Sequence, residues 1–247
     1  MRLSAEQTPA FAGEKPESDE WTVARVLSFA TDDFRRRGLD SPRLDAELLL
    51  AHALRIERIR LFIETTRVLD RRELSEYRGL IQRRRQREPV AYILGVREFH
   101  GLPLRVDRRV LVPRPDTETL VEVALDRTRA CRLYGEALDL CTGSGCVAIA
   151  LARRRPTWRV TGVDVSSDAV AVAQRNAERL GAVWGVGFAV SDLDGALDRD
   201  QTYDLVTANP PYIPTADLAT LPLDVKSHEP HLALDGGPDG LLVMRGV

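Results

Sequence analysis

The chain has 247 residues, of which 44% are hydrophobic and 29% charged, enough for one α/β domain and a small second unit. The formal net charge is −2 and the pI is about 6.1, which argues against duplex nucleic acid as the main partner. No apolar stretch approaches the ~20 residues of a membrane span and no signal-peptide core opens the chain, so we expect a cytoplasmic protein. The three cysteines and four histidines lack metal-ligand spacing, so no metal site is expected.

The first part of the chain is predicted to be helical. Residues 1–19 are polar and contain Gly and Pro, which predicts a disordered tail. Residues 20–95 are predicted to form a small all-helical domain. Within it, helical spacing of apolar side chains covers residues 20–37, 42–54 and 71–88.

Two local signals mark the last of these helices. Asp70, followed three residues later by Glu73, is predicted to form a capping box at its start. The basic run from Arg83 to Arg87 suits the negative end of the helix dipole. This run is interpreted either as a solvated helix end or as a docking site for an acidic or RNA-bound partner.

The second part of the chain is predicted to be an α/β domain. Residues 96–112 alternate in polarity and are predicted to form a β-hairpin linker before a domain that spans residues 113–247. In that domain, strands are predicted near 136–141, 158–164, 186–191 and 203–208, and helices near 145–154 and 168–180. Strand, crossover helix and parallel strand indicate a Rossmann-like, doubly wound sheet with ligands at the carboxyl ends of its strands.

A glycine-containing turn follows the first predicted strand. Asp139 lies in the strand, and the turn runs from Cys141 to Gly145. Gly143 and Gly145 allow close approach of a ligand to the backbone, and the next helix directs free N–H groups there. Asp164 follows the second strand 19 residues after Gly145, where an acidic residue binds the ribose hydroxyls of an adenosine cofactor.

The tetrad Asn209-Pro210-Pro211-Tyr212 follows the last predicted strand. The two prolines fix φ near −65° and have no N–H, so the segment is stiff and offers carbonyl oxygens. With the Asn209 side-chain oxygen, these oxygens form an acceptor pair suited to a planar NH₂ group, and Tyr212 adds an aromatic face. The tetrad therefore predicts chemistry at an amino or amide nitrogen, although Asn-Pro is also an ordinary turn signal.

These motifs together resemble the class I S-adenosylmethionine-dependent methyltransferases, and more narrowly the protein-glutamine N5-methyltransferases of peptide chain release factors. The stretches that carry the resemblance run from Arg114 to Glu118, from Asp139 to Gly145, and from Asn209 to Tyr212. Cys141 departs from the family pattern, which has glycine there. A related family that methylates a ribosomal protein on glutamine typically has cysteine at this position, so a ribosomal protein is an alternative substrate, although the stretch from Arg114 to Glu118 favours the release-factor enzymes.

The resemblance implies a cofactor, a substrate and roles for individual residues. S-adenosyl-L-methionine is the implied cofactor, and a release factor, held by the helical domain of a monomeric enzyme, is the implied partner. The implied cofactor-binding residues are Asp139, Cys141, Thr142, Gly143, Ser144, Gly145, Asp164, Asp192, Leu193 and Asn209, with Asp192 at the adenine amino group. The implied catalytic residues are Asn209, Pro210, Pro211 and Tyr212.

Other functions stay open on the sequence alone. The same tetrad serves enzymes that methylate exocyclic amines of nucleobases, such as guanine N2 or adenine N6 in ribosomal RNA. Only four strands precede Val247, where the family has seven, so the C-terminal strands are expected to be missing and the last strand to be a sheet edge. An inactive fragment or a non-catalytic adaptor is therefore a further interpretation. A dehydrogenase is disfavoured, because hydride transfer gives no reason for the tetrad.

Overall fold

A computed structural model of the chain describes residues 20–131 and 133–247. The predicted disorder of residues 1–19 lies outside the described residues. The chain divides into two compact units between Leu94 and Gly95. Over the described ranges, no helix has both the length and the apolar character needed to span a membrane.

The first unit is all-helical. Its helices are α1 (Val23–Arg36), α2 (Pro42–Leu54), α3 (Arg60–Ile63), α4 (Arg71–Arg85) and α5 (Val90–Leu94). The predicted capping box is confirmed, because the Asp70 carboxylate accepts the Glu73 N–H at 2.8 Å and the Glu73 carboxylate accepts the Asp70 N–H at 3.0 Å. Helix α4 ends three residues earlier than predicted, since Pro89 disfavours helical backbone just before it. The four- and five-residue helices α3 and α5 were not predicted, because such short segments show no periodicity.

Apolar side chains of these helices form a single core. Phe34, Leu49, Leu50 and Ile81 are buried in it, together with Tyr77. The Tyr77 hydroxyl donates to the Ala46 carbonyl at 3.1 Å, so the one polar atom of the ring has a partner inside the core.

The arginines of the basic run that ends α4 are paired within the helical unit rather than simply solvated. Arg83 binds Glu88 at 2.7 Å, Arg84 binds Asp45 at 2.7 Å and Arg85 binds Asp33 at 2.8 Å. Arg87 donates to the carbonyls of Arg37 and Gly38. The carboxylates of Asp33 and Asp45 come from α1 and α2, so the run ties the helices of this unit together, and its charges are engaged within the unit.

The second unit is a Rossmann-like α/β fold. It contains β1 (Val96–Phe99), β2 (Leu102–Arg105), α6 (Pro115–Arg127), β3 (Glu136–Leu140), α7 (Cys146–Arg154), β4 (Arg159–Asp164), α8 (Ser167–Arg179), β5 (Val186–Val190), β6 (Leu205–Ala208) and α9 (Leu223–His228). The four strands β5-β4-β3-β6 form one parallel sheet in that order. As predicted, the strand that leads to Asn209 is an edge of this sheet.

The β-hairpin is shorter than predicted. It pairs Val96 with Arg105 and ends there, whereas the prediction continued to residue 112. Val106, Val110 and Val112 are buried without strand pairing. The chain turns at residues 107–110, where the Val110 N–H donates to the Asp107 carbonyl at 3.1 Å, so these apolar side chains are buried by packing and form no second ladder.

A buried amide connects the hairpin to the turn after β3. Asn176 on α8 accepts the Arg105 N–H at 2.7 Å and donates to the carbonyls of Arg105 and Ser144, both at 3.0 Å. The bond to the Ser144 carbonyl attaches the turn to α8, and the two bonds with Arg105 attach the hairpin to the same side chain.

Candidate active site

A cavity of about 520 Å³ opens at the carboxyl ends of the parallel strands. The residues predicted from sequence that line it are Asp139, Cys141, Thr142, Gly143, Ser144, Asp164, Asp192, Leu193, Asn209 and Pro211. Gly145, Pro210 and Tyr212 were also predicted at the site but do not line this cavity.

The turn of residues 141–145, here called the glycine loop, has the backbone that its glycines allow. Gly143 has φ +55° and a Cβ placed there would have no atom within 4 Å, so this part of the loop faces open space. Gly145 has φ +78°, and its Cβ would lie 3.0 Å from both Ala173 and Phe188. Gly145 is therefore required for packing against α8 and β5, which explains why it does not face the cavity.

Cys141 adopts a backbone conformation that favours glycine. Its φ is +55°, so this position has the left-handed conformation that the glycine of the family pattern would adopt without strain. Burial raises the pKa of the Cys141 thiol to about 12, with the nearby Asp164 and Asp139 carboxylates adding to the effect. The thiol is thus neutral near pH 7 and acts as a small side chain in the cavity wall.

The Asp164 carboxylate binds the glycine loop directly. One oxygen accepts the Gly143 N–H and the other the Ser166 N–H, each at 2.9 Å. Burial raises the pKa of Asp164, while these two backbone bonds oppose the rise. The Ser166 hydroxyl caps α8 by accepting the Ala169 N–H at 3.2 Å. Each Asp164 oxygen has a second lone pair, which a ligand hydroxyl can use.

Asn209 lies where two cavities meet. It lines the main cavity and also a neighbouring one of about 440 Å³, which Pro210 and Tyr212 line. The Asn209 side-chain NH₂ faces the Thr117 hydroxyl at 3.5 Å, an orientation that leaves the side-chain oxygen available as an acceptor. Tyr212 is 62% exposed, so its ring can contact a molecule that arrives from solvent.

A buried ion pair beside the cavity was not predicted from the sequence. The Glu229 carboxylate lies 2.6 Å from the Arg114 guanidinium and 3.3 Å from the Val112 N–H. Burial raises the pKa of Glu229, and the positive charge of Arg114 opposes the rise. The only sequence signal was Arg114 itself, within a stretch that carries the family resemblance; Glu229 had none.

The turn after Asp235 packs directly against the backbone of the tetrad. A Cβ at Gly236 would lie 2.8 Å from the Tyr212 Cα, and one at Gly240 would overlap the Tyr212 carbonyl oxygen. The Gly236 N–H donates to the Ile213 carbonyl at 2.8 Å. Glycine is needed at both positions because the backbone of the tetrad passes so close.

Comparisons with known proteins agree with this architecture. The family model "PrmC N-terminal domain" matches residues 25–95, and the model "Methyltransferase domain" matches residues 137–222. A release factor glutamine methyltransferase of Geobacter sulfurreducens is 46% identical over 231 residues, which cover 92% of this chain and 78% of the relative. Relatives of the same description from Rhodopirellula baltica and Chlorobaculum tepidum are 44% and 43% identical; each match covers 89% of this chain, and 75% and 77% of the relative.

Proposed function

This chain belongs to the family of release factor glutamine methyltransferases, and we propose that it transfers a methyl group from S-adenosyl-L-methionine to the N5 amide nitrogen of a glutamine in a peptide chain release factor. The target glutamine is the one in the Gly-Gly-Gln loop. The proposal includes a monomeric enzyme that works in the cytoplasm, where release factors act, and that uses no metal ion.

The observation that carries this proposal is the position of Asn209 at the junction of two cavities. One cavity contains the glycine loop and Asp164, and the other contains Pro210 and Tyr212. A cofactor in the first cavity and a side chain in the second would meet at Asn209. This is the geometry that a transfer between two bound molecules requires.

The first cavity suits an adenosine-containing cofactor. Its volume of about 520 Å³ is in the range of small-molecule sites, roughly 300–1,000 Å³. The open space at Gly143 and the start of α7 would receive the methionine part of the cofactor. The Asp164 carboxylate would accept hydrogen bonds from the ribose hydroxyls. When bound, the cofactor supplies a methyl group on a sulfonium, which is electrophilic without a metal.

The chain's own residues would orient the acceptor. An amide nitrogen is a poor nucleophile because its lone pair is delocalised into the carbonyl. The Asn209 side-chain oxygen and the Pro210 carbonyl would each accept one hydrogen of the glutamine NH₂, while the Tyr212 ring packs on the amide plane. Fixing this geometry can contribute several orders of magnitude in rate, since effective molarities reach roughly 10⁵ M or more. The proton can leave to water after transfer.

The main sequence argument for a nucleobase substrate is weakened. The basic run at the end of α4 was the best sequence feature in favour of RNA, and its arginines bind Glu88, Asp45 and Asp33 or backbone carbonyls within the helical unit. Releasing them to bind phosphates would leave the buried Asp33 and Asp45 carboxylates without these partners.

Peptide mapping of the product tests the proposal. Release factor incubated with this protein and S-adenosylmethionine is expected to gain a single methyl group on the Gly-Gly-Gln glutamine, located by mass spectrometry. A release factor with glutamate at that position lacks the NH₂ and is expected to gain none. A methyl group on another residue, or on the glutamate variant, would contradict the proposal.

A further inference from the structure

One carboxylate joins the glycine loop to the strand that leads to Asn209. Asp139, near the carboxyl end of β3, is 2% exposed. One of its oxygens accepts the Thr142 hydroxyl at 2.6 Å, and the other accepts the Thr207 hydroxyl at 2.8 Å. Thr142 and Thr207 are 4% and 3% exposed, so water does not compete for these bonds. The two threonines are thus linked through one buried group.

The position of Thr207 makes this link relevant to Asn209. Thr207 lies opposite Asp139 in the parallel register of β3 and β6, and it precedes Asn209 by two residues. Strand β6 has four residues and pairs with β3 alone among the described strands. Its backbone is therefore hydrogen-bonded into the sheet on one side only. The Thr207 side chain adds a second attachment, close to the end from which Asn209 projects.

We infer that Thr207 is a positioning residue, which acts through Asp139 to fix Asn209 relative to Thr142 and the glycine loop. The inference rests on the proposed function, because the relative position of these two loops matters only if a group passes between their ligands. A displacement of about 1 Å in such an arrangement can lower a rate roughly 100-fold. Thr207 itself is buried beneath the site, and no role in touching the substrate is assigned to it.

The charges around Asp139 allow an independent readout. Burial raises the pKa of Asp139 to about 6, whereas its hydrogen bonds to Thr142 and Thr207 lower it. The neighbouring titratable groups are the Asp164 carboxylate, which raises the pKa of Asp139, and the thiols of Cys141 and Cys146. Burial raises the pKa of both thiols to about 12, so they remain neutral near pH 6. Loss of the Thr207 hydroxyl should therefore raise the pKa of Asp139 further.

The kinetic test compares Thr207→Val with Thr207→Ser. Valine keeps the shape of threonine but lacks the hydroxyl, whereas serine keeps the hydroxyl and loses the methyl group. We expect Thr207→Val to lower kcat about 10- to 100-fold on release factor while the Kd for S-adenosylmethionine changes less than about threefold. Thr207→Ser should recover the rate to within about threefold of the wild type. A purely packing role predicts the opposite order, with serine the more impaired.

The second readout needs neither cofactor nor substrate. Carbon-13 NMR titration of the Asp139 carboxyl in the cofactor-free protein should show a midpoint raised by about 0.5 units or more in Thr207→Val and not in Thr207→Ser. If the Thr207→Val variant does not fold, Thr207→Ala removes the same hydroxyl and is compared with Thr207→Ser in the same way.

An unchanged Asp139 midpoint together with an unchanged kcat would overturn the inference, as would equal impairment of the valine and serine variants. A wild-type protein that methylates no release factor would refute the proposed function, while the titration would still decide whether the Thr207 bond to Asp139 exists.

Discussion

The Glu229 carboxylate lies 2.6 Å from the Arg114 guanidinium, and its side chain is only 1% exposed. The two residues are 115 positions apart and lie on two segments that both contribute to the cavity lining. Taking a carboxylate out of water is unfavourable unless it is paired. The pair therefore fixes the two segments to each other, and its removal should affect the site as well as stability.

Loss of Arg114 should destabilise the protein more than loss of an exposed arginine. Arg114→Ala leaves the Glu229 charge buried with a single N–H donor, so we expect the free energy of unfolding to fall by about 2–3 kcal/mol. Arg114→Ala combined with Glu229→Gln should recover part of this loss, because the unpaired charge is gone. Urea unfolding measures each value. Arg129→Ala, which breaks an exposed pair with Asp126 at 3.2 Å, is the control and should have little effect. Equal losses in Arg114→Ala and Arg129→Ala would contradict the role of the pair.

Asp164→Ala should weaken the binding of S-adenosylmethionine at least tenfold. The change removes the acceptor proposed for the ribose hydroxyls and also the partner of the Gly143 N–H, and each charge-assisted hydrogen bond is worth about 1.5–3 kcal/mol. Calorimetry measures the Kd directly. Asp168→Ala, which removes an exposed carboxylate in the first turn of α8, should leave the Kd unchanged. An Asp164→Ala variant with wild-type affinity would rule out this role.

Asn209→Ala should abolish methyl transfer and change the Kd for S-adenosylmethionine by less than about threefold. Asn209 is proposed to hold the acceptor amide, so its loss should act on the chemical step rather than on the glycine loop. The measurement pairs single-turnover kinetics on release factor with calorimetry of cofactor binding. Parallel losses of affinity and rate would show instead that Asn209 supports the cofactor cavity.

Asp139 should make the free energy of unfolding depend on pH, and the Asp139→Asn substitution should remove this dependence. Burial raises the pKa of Asp139 from 3.8 to about 6, so between these values the folded protein holds a proton that the unfolded chain releases. Stability therefore falls as pH rises from about 4 to 6, by roughly 3 kcal/mol for this group, and is constant above that. In Asp139→Asn this contribution is absent. The stability of the variant relative to wild type should thus increase by up to about 3 kcal/mol between pH 4 and pH 7. Urea unfolding at pH 4 and pH 7 measures the difference in free energy of unfolding between the variant and the wild type. The same difference at both pH values would show that Asp139 does not titrate in this range.

Local patterns predicted much of the fold. The capping box at Asp70 and the glycine loop each depend on residues within a few positions of one another, so the sequence alone indicates them. Parallel strands separated by helices also place Asp164 and Asn209 together, because both lie at the carboxyl ends of their strands. That is why the sequence located the residues at the strand ends of the cavity, whereas other lining residues, such as Leu232 and Val243, were not predicted.

The parts that could not be predicted depend on distant residues. The partners of Arg84 and Arg85 are Asp45 and Asp33, 39 and 52 positions away, and no local pattern shows that these carboxylates are buried. Glu229 and Arg114 are 115 positions apart, so no local pattern indicates that they pair. Within the tetrad, Pro211 lines the main cavity, whereas Pro210 and Tyr212 line the neighbouring one. This arrangement depends on tertiary packing and has no local sequence pattern.

The most direct test of the proposed function offers several substrates to the protein at once. Radiolabelled S-adenosylmethionine is incubated with this protein and a mixture of release factor, ribosomal protein, ribosomal RNA and duplex DNA, and the products are separated. We expect label on release factor alone, and its loss when the Gly-Gly-Gln glutamine is replaced by glutamate. Label on RNA, on DNA or on the ribosomal protein, with none on release factor, would contradict the assignment of the release factor glutamine as the acceptor.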